Sequence, residues 1–265
     1  MSCVFITGSS DGLGLLAGRL LVEWGHAVTL HARNGARAED ARRALPQAEA
    51  VLVGDVSSLG QTRRLADAVN ARGRFDAVIH NVGVSSRGAR IETEDGLSQI
   101  FAVNVLAPYL LTALISRPDR LVYLSSGLHR GARPHLASRP DPRLDDVQWT
   151  QRPWNGSDAY AESKLFDVML AFAVARLWPH VLSNAIEPGW VATRMGGAGA
   201  PDDLSLGAVT QAWLAVSNDP EAKVSGQYFH HQKHQQVHPA ARDAALQDRL
   251  LDYCAELTGV ALPRA

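Results

Sequence analysis

Residues 3–14 read CVFITGSSDGLG. Cys3 to Thr7 form a short apolar and β-branched run, the pattern of a buried strand, and a helical pattern covers about 12–25. Between them lie Gly8, Gly12 and Gly14. Strand, glycine-rich turn and helix in that order let the backbone reverse sharply and come close to a ligand. The helix start then offers free N–H groups and the positive end of its dipole to a pyrophosphate. The spacing is G-x-x-x-G-x-G and not the G-x-G-x-x-G dinucleotide fingerprint. A glycine pattern of this kind also suits a tight turn with no ligand. Its place after the first strand of an α/β chain favours the phosphate reading.

The α/β pattern extends through the chain. AVTLHA (27–32), AVLVG (50–54), DAVIHN (76–81), RLVYLS (120–125) and VLSNAI (181–186) read as further buried strands, with GQYFH (226–230) as a candidate seventh. These runs are apolar throughout, as expected where helices cover both sheet faces. Helices are predicted at about 12–25, 37–45, 58–72, 93–116, 157–178, 203–217 and 239–258. Ser57 or Ser58 is placed to cap the third and Ser157 the fifth. The alternation predicts one doubly wound α/β domain over residues 1–265, with a parallel sheet of about seven strands and helices on both faces. Two stretches lack periodicity, 127–156 with Pro134, Pro140, Pro142 and Pro153, and the glycine-rich 189–203. Long irregular loops inside a compact domain are usually functional or mobile, and 127–156 and 190–210 are the expected substrate rim.

Composition narrows the class. The 265 residues are 46% hydrophobic and 20% charged, an ordinary globular balance. A formal net charge of -1 gives no support to a nucleic-acid or anionic-membrane surface. Cys3 and Cys254 allow one disulfide arithmetically, but reduced thiols are the simpler reading. The N-terminus MSCVFITG carries no signal-peptide pattern and no apolar run approaches a membrane span. A cytoplasmic protein with no nucleic-acid or membrane partner is expected.

Downstream segments add chemistry. The second strand ends at HARN (31–34), where an acidic residue would bind ribose hydroxyls. Arg33 stands there instead and can pair with a 2'-phosphate, which favours NADP(H) over NAD(H). Asp11 cuts against this, since it occupies a spot where a basic residue often grips that phosphate. GDV (54–56) places Asp55 where it could accept from an adenine amino group, and HNVG (80–83) places Asn81 and Gly83 beside a cofactor path. In SDAYAESKLF (157–166), Tyr160 and Lys164 share one helix face. Such a pair is common by chance, and only its neighbours along the chain give it meaning.

TGSSDGLG, GDV, HNVG, Asn104 in FAVNVLAPYLLT, LSSG (124–127), YAESK (160–164) and EPGWVAT (187–193) occur in the order found in the short-chain dehydrogenase/reductase family, which the chain resembles over roughly residues 2–260. The long gap between Ser126 and Tyr160, together with VNVLAPYLLT and the tail from SGQYFHHQK, resembles the retinol-dehydrogenase-like and WW-domain-oxidoreductase-like branch. The resemblance implies a Rossmann-type domain, NAD(P)(H), and hydride transfer between cofactor and a carbonyl or alcohol. By position it implies a catalytic set of Asn104, Ser126, Tyr160 and Lys164, with Ser125 as the fallback serine. It implies cofactor contacts from Gly8, Ser10, Gly12, Leu13, Gly14, Arg33, Asp55, Val56, Asn81, Gly83, Tyr160, Lys164, Pro188, Gly189, Val191 and Thr193. Tyr160 would give or take the proton. Lys164 and the oxidised nicotinamide would lower the phenol's pKa from about 10. Ser126 would hydrogen-bond the substrate oxygen, Asn104 would support a water leading to Lys164, Lys164 would bind the ribose and Thr193 the carboxamide. His80 and Val82 depart from the family's Asn-Asn-Ala-Gly.

Other readings stay open at this level. A cofactor-binding sensor with little turnover has no need of both Tyr160 and Lys164, whereas C=C reduction would use a similar pair. Epimerase-like relatives usually show T-G-x-x-G-x-x-G, which this chain lacks. HHQKHQQVH (230–238) has helix-spaced histidines but no carboxylate or cysteine partner, so a surface loop is expected rather than a metal site. Trp149 and Trp154 either line an apolar pocket or anchor the long loop, and the tail 241–258 suits core or subunit packing. The small-molecule substrate stays unnamed, and a homodimer is left open.

Overall fold

The computed structural model describes residues 1–85, 88–132 and 146–264. Pro134, Pro140 and Pro142 of the long irregular stretch lie outside them. The strands are β1 (Cys3–Ile6), β2 (Ala27–Ala32), β3 (Ala50–Val53), β4 (Ala77–His80), β5 (Arg120–Leu124), β6 (Leu182–Glu187), β7 (Tyr228–His230) and β8 (Lys233–His234). They form one sheet in the order β3-β2-β1-β4-β5-β6-β7-β8, parallel except for the β7–β8 pair. The order reverses between β1 and β4, and open α/β sheets bind ligands at the carboxyl ends of strands at such a point.

Alternate residues of the strands feed two cores. Phe5, Val78, Leu121, Tyr123, Ala185 and Tyr228 face one side, where they meet apolar residues of α3 (Leu59–Asn70), α5 (Ala107–Leu114), α6 (Gly156–Leu177) and α9 (Ala244–Thr258). Val4, Ile6, Leu30, Ile79, Val122, Leu124 and Phe229 face the other, against α1 (Gly12–Glu23), α2 (Gly35–Ala44) and α8 (Val209–Val216). Burial on both faces explains why the strand segments are apolar throughout rather than alternating.

Short polar side chains start the helices. Asp11 accepts from the Gly12 N–H, Asn34 from Arg37 and Ser58 from Gln61. Ser157 is not the cap of α6. Asn155, two residues earlier, takes that role and accepts from the N–H groups of Ser157 and Asp158 at 3.0 and 3.1 Å. Its amide oxygen reaches two orphan donors at once, which satisfies more of the helix end than a serine placed inside the first turn.

Three predicted helices are subdivided. The 93–116 segment becomes α4 (Gln99–Phe101), a π-helical turn (Ala102–Leu106) and α5. The 203–217 segment becomes α7 (Leu204–Gly207) and α8, and Asp243 starts α9 after a 3-10 turn at Pro239–Arg242. The histidine-rich stretch is not simply a loop: His230 ends β7, β8 pairs back on it, and His231 and Gln232 turn between them at φ +47 and +62. Cys3 and Cys254 are both free thiols. Among the described residues no helix is long and apolar enough to cross a membrane.

Candidate active site

The glycine-rich turn is held from both neighbouring strands. Gly8 has φ +61, and a Cβ there would lie 2.8 Å from the Val82 Cα, so the close approach of the β1 and β4 ends requires glycine. Thr7 Oγ1 accepts from the Asn81 and Val82 N–H groups at 3.0 and 3.1 Å. The Asn81 amide donates to the Thr7 and Gly8 carbonyls, each at 3.0 Å. From β2, buried His31 accepts the Gly8 N–H on Nδ1 at 2.9 Å, while its Nε2 lies 2.8 Å from the Gly54 carbonyl. The carbonyl can only accept, so this ring is neutral with its proton on Nε2. Burial lowers the His31 pKa from the ordinary value, more than the Gly54 carbonyl and Asp55 raise it.

The turn opens into a cleft of about 520 Å³ at the switch point of the sheet. Its wall carries Gly8, Ser10, Gly12, Leu13, Arg33, Asp55, Val56, Asn81, Gly83, Tyr160, Lys164, Pro188 and Thr193. These residues come from both halves of the chain, and the fold brings them together. Gly14, Gly189 and Val191 are not among the wall residues. Gly14 faces Asn81 and the Gly8 carbonyl, where any side chain would collide. Gly189 has φ +86 and lies against Asp202, and Val191 is buried.

Two wall arginines escaped the sequence reading. Arg37, in the first turn of α2, and Arg194, after β6, each reach Asp11 Oδ2 at 3.1 Å. Arg37 also meets Asp40 at 3.1 Å. Asp11 thus caps α1 and holds two cations at the cleft edge. The signal for Arg37 was its place four residues after Arg33, in the first turn of the helix that follows β2. Arg194 had no local signal, because only the fold brings it to the glycine turn.

At the far end of the cleft, Tyr160 is half-buried and its hydroxyl lies 3.8 Å from the Met195 sulfur. The Lys164 ammonium lies 5.7 Å from the centre of the Tyr160 ring. It donates to the Leu124 carbonyl and to Asp167, both at 2.8 Å. Burial works against this cation, but Asp167 and Tyr160 outweigh it and raise the Lys164 pKa. At Asp167 burial wins, and the carboxyl sits above the usual carboxylate range despite Lys164. Asp167 follows Lys164 by three residues and shares its helix face, a spacing that could have revealed it.

Asn104 sits in the π-helical turn, a local distortion often found at functional sites. Its Oδ1 accepts from the Val84 N–H at 2.8 Å, and its Nδ2 donates to the Val84 carbonyl and to Ser163 Oγ at 3.0 and 2.9 Å. The two serines differ. Ser125 lines the cleft, is buried, and donates its Oγ–H to the Lys164 carbonyl at 2.6 Å. Ser126 is half-buried, and its Oγ accepts from the Leu128 N–H at 3.3 Å.

The long stretch is anchored by its tryptophans. Trp149 is buried at φ +56, lies edge-on to Trp154 at 5.7 Å, and carries the Arg152 guanidinium 3.5 Å over its ring. Trp149 packs with Ile100 and Ala159, with Tyr160 and Trp154 beside them. Among the described residues no group of three His, Cys, Asp or Glu side chains is placed to hold a metal ion.

This cleft suits a dinucleotide. The α1 N-terminus and Arg33 and Arg37 offer donors and positive charge to phosphate. A Cβ on Gly12 would stand 3.8 Å from the Thr193 methyl, narrowing the passage between turn and loop. A phenol and an ammonium at its end can exchange and stabilise a proton.

A family model described as short chain dehydrogenase matches residues 2–123. An uncharacterized oxidoreductase of Emericella nidulans is 43% identical, the match covering 98% of this chain and 98% of that protein. Human retinol dehydrogenase 13 is 30% identical over 98% of this chain and 85% of its own length. Among solved structures, an uncharacterized protein of Mycobacterium paratuberculosis matches with a TM-score of 0.82 at 26% identity, covering 99% of this chain and 95% of that one.

Proposed function

The chain belongs to the short-chain dehydrogenase family, in its retinol-dehydrogenase-like branch, and we propose that it transfers a hydride between NADP(H) and a small-molecule carbonyl or alcohol with Tyr160 as general acid and base. One observation carries the reading: a single cleft joins the glycine-rich turn, Arg33 and Arg37 at one end to Tyr160 and Lys164 at the other.

The bound cofactor would supply or accept the hydride, and the protein's part is orientation and proton handling. Ser10, Gly12, Leu13 and the α1 N-terminus hold the diphosphate. Arg33 and Arg37 take the 2'-phosphate, the basis for preferring NADP(H). Asp55 and Val56 flank the adenine, and Asn81, Gly83, Pro188 and Thr193 guide the nicotinamide half. The Ser126 hydroxyl donates to the substrate oxygen. Tyr160 donates its proton to that oxygen in reduction and takes it back in oxidation, while the Lys164 cation favours the phenolate. The segments around Leu128 and Trp190, both exposed, form the rim within 127–156 and 190–210. The Met195 sulfur lies where it must yield the Tyr160 hydroxyl to substrate.

The test follows NADPH and NADH oxidation in the presence of aldehydes, ketones, quinones and activated alkenes, with Tyr160→Phe alongside. NADPH-dependent carbonyl turnover that vanishes in the variant supports the reading. Faster turnover with NADH removes the arginine argument, and turnover on alkenes alone assigns C=C reduction instead.

A further inference from the structure

We propose that Asp167 is a positioning residue for the proton-handling pair: one turn beyond Lys164 on the same helix face, it keeps Lys164 charged and fixes where that charge stands. The inference rests on the assignment of Tyr160 and Lys164 above and goes beyond it, to a residue the cleft never touches.

The ammonium and carboxylate are 2.8 Å apart, and each side chain is only 4% exposed. A second ammonium proton goes to the Leu124 carbonyl at the end of β5. Gly83 stands beside the ammonium: a Cβ there would lie 3.4 Å from Lys164 Nζ, 3.6 Å from Asn104 Oδ1 and 3.9 Å from Met195 Cε. Glycine leaves that side open, so the cation is held at two points from behind and presented to the cleft. A lysine stem has four rotatable carbons and strong affinity for water. Without a fixed anion the head has no reason to keep this position, and a buried ammonium without a partner loses its proton readily.

Among the described residues no other carboxylate is paired with Lys164. From α6 the pair faces Tyr160, and Asn104 of the π-helical turn, an uncharged amide, stands with Lys164 Nζ beside Gly83. From β5 it faces the Tyr123 hydroxyl, which shares a hydrogen bond with Thr112, itself 3.0 Å from His80 Nε2. Burial lowers the His80 pKa to about 3 and raises that of Tyr123, so both are neutral near neutral pH. Asp167 supplies the negative charge of this chamber.

The test needs neither cofactor nor turnover, so its failure is separable from failure of the reductase reading. Phenolate absorbance is titrated in the unliganded protein, and subtracting Tyr160→Phe isolates Tyr160. In Asp167→Asn the amide keeps the shape but not the charge, and burial then discharges Lys164. The Tyr160 phenolate is expected to appear at higher pH by about one unit or more. In a Lys164→Met background the same Asp167→Asn change is expected to leave the titration in place, because Asp167 acts through Lys164. A thermal melt accompanies each variant. Should Asp167→Asn fail to fold, Asp167→Glu retains the charge and displaces it, and a smaller shift in the same direction is expected. An unchanged titration in a folded variant, or a shift to lower pH, overturns the proposal and leaves Asp167 as a structural ion-pair partner.

Discussion

The backbone N–H of Gly8 and the imidazole of His31 are joined by a 2.9 Å hydrogen bond that ties the glycine-rich turn to the neighbouring strand. The ring can accept only while neutral, and its other nitrogen is spent on Gly54. Replacing it by leucine strands the Gly8 N–H and the Gly54 carbonyl. His31→Leu is expected to cost about 1–3 kcal/mol of stability and to weaken dinucleotide binding. The pH dependence has a definite sign. The folded pKa is lowered by burial, so the stability His31 contributes is complete above its unfolded value of about 6.5 and is lost as pH falls toward the folded one. The stability gap between wild type and His31→Leu is therefore expected to shrink between about pH 7.5 and pH 5. Denaturant unfolding at the two values measures it, and a gap that widens at low pH would show that His31 is not held neutral.

The two serines make a second comparison. Ser125 has already committed its only proton to the Lys164 carbonyl, whereas the described contact of Ser126 uses an acceptor lone pair and leaves its proton to give. Ser126→Ala is expected to lower kcat by roughly 10²–10³-fold, the range seen when one donor to a developing oxyanion is removed. Ser125→Ala is expected to act mainly on stability, by about 1 kcal/mol. Steady-state kinetics with paired melting curves checks both. The reverse pattern would assign the catalytic hydroxyl to Ser125, whose side chain lines the cleft.

These comparisons show where the sequence was legible. Buried strands announce themselves as apolar runs, and β1 to β7 fall within a residue or two of their predicted bounds. Motif positions such as Gly8, Asp55, Gly83 and Tyr160 came with their own spacing. The missed residues act across the fold. His31 lies in the middle of an apolar run and reads as a strand residue, because only register against β1 brings its ring to Gly8. Arg194 reaches Asp11 from 183 positions away along the chain, through a loop with no periodicity. Asp11 itself reads as an obstacle to a phosphate-bearing cofactor, because its pairing with Arg37 and Arg194 is made only by the fold.

Cofactor choice follows from that cluster. An arginine on a phosphate makes charge-assisted hydrogen bonds of about 1.5–3 kcal/mol. Arg33→Ala and Arg37→Ala are each expected to raise the Kd for NADPH by roughly 10–100-fold and to leave NADH nearly unchanged. Asp11→Asn keeps a cap of equal quality on α1 and releases Arg37 and Arg194 from their shared anion. Tighter NADPH binding is expected, by a few-fold. Fluorescence titration of reduced cofactor measures all three variants, and equal losses for NADPH and NADH in the arginine variants would place these side chains on the shared diphosphate.

The clasp on the long stretch gives the last prediction. Glu162 is almost fully buried and receives the Arg152 guanidinium on both oxygens, at 2.9 and 2.5 Å. Arg152 also reaches Asp146 at 3.3 Å and lies over Trp149. This clasp packs on Trp149, which has a left-handed φ, and Trp149 and Ala159 in turn pack beside Tyr160. Glu162→Gln leaves a largely buried guanidinium short of one charge. Losing one partner of a buried pair costs about 3–5 kcal/mol, and since Arg152 keeps Asp146 and some water contact, the lower end is expected. The segment 146–155 should become the first site cut in limited proteolysis. If the clasp shapes the substrate rim, KM for the carbonyl rises while kcat per folded molecule stays near wild type. A fall in kcat at unchanged KM would mean instead that the clasp sets the position of Tyr160 itself.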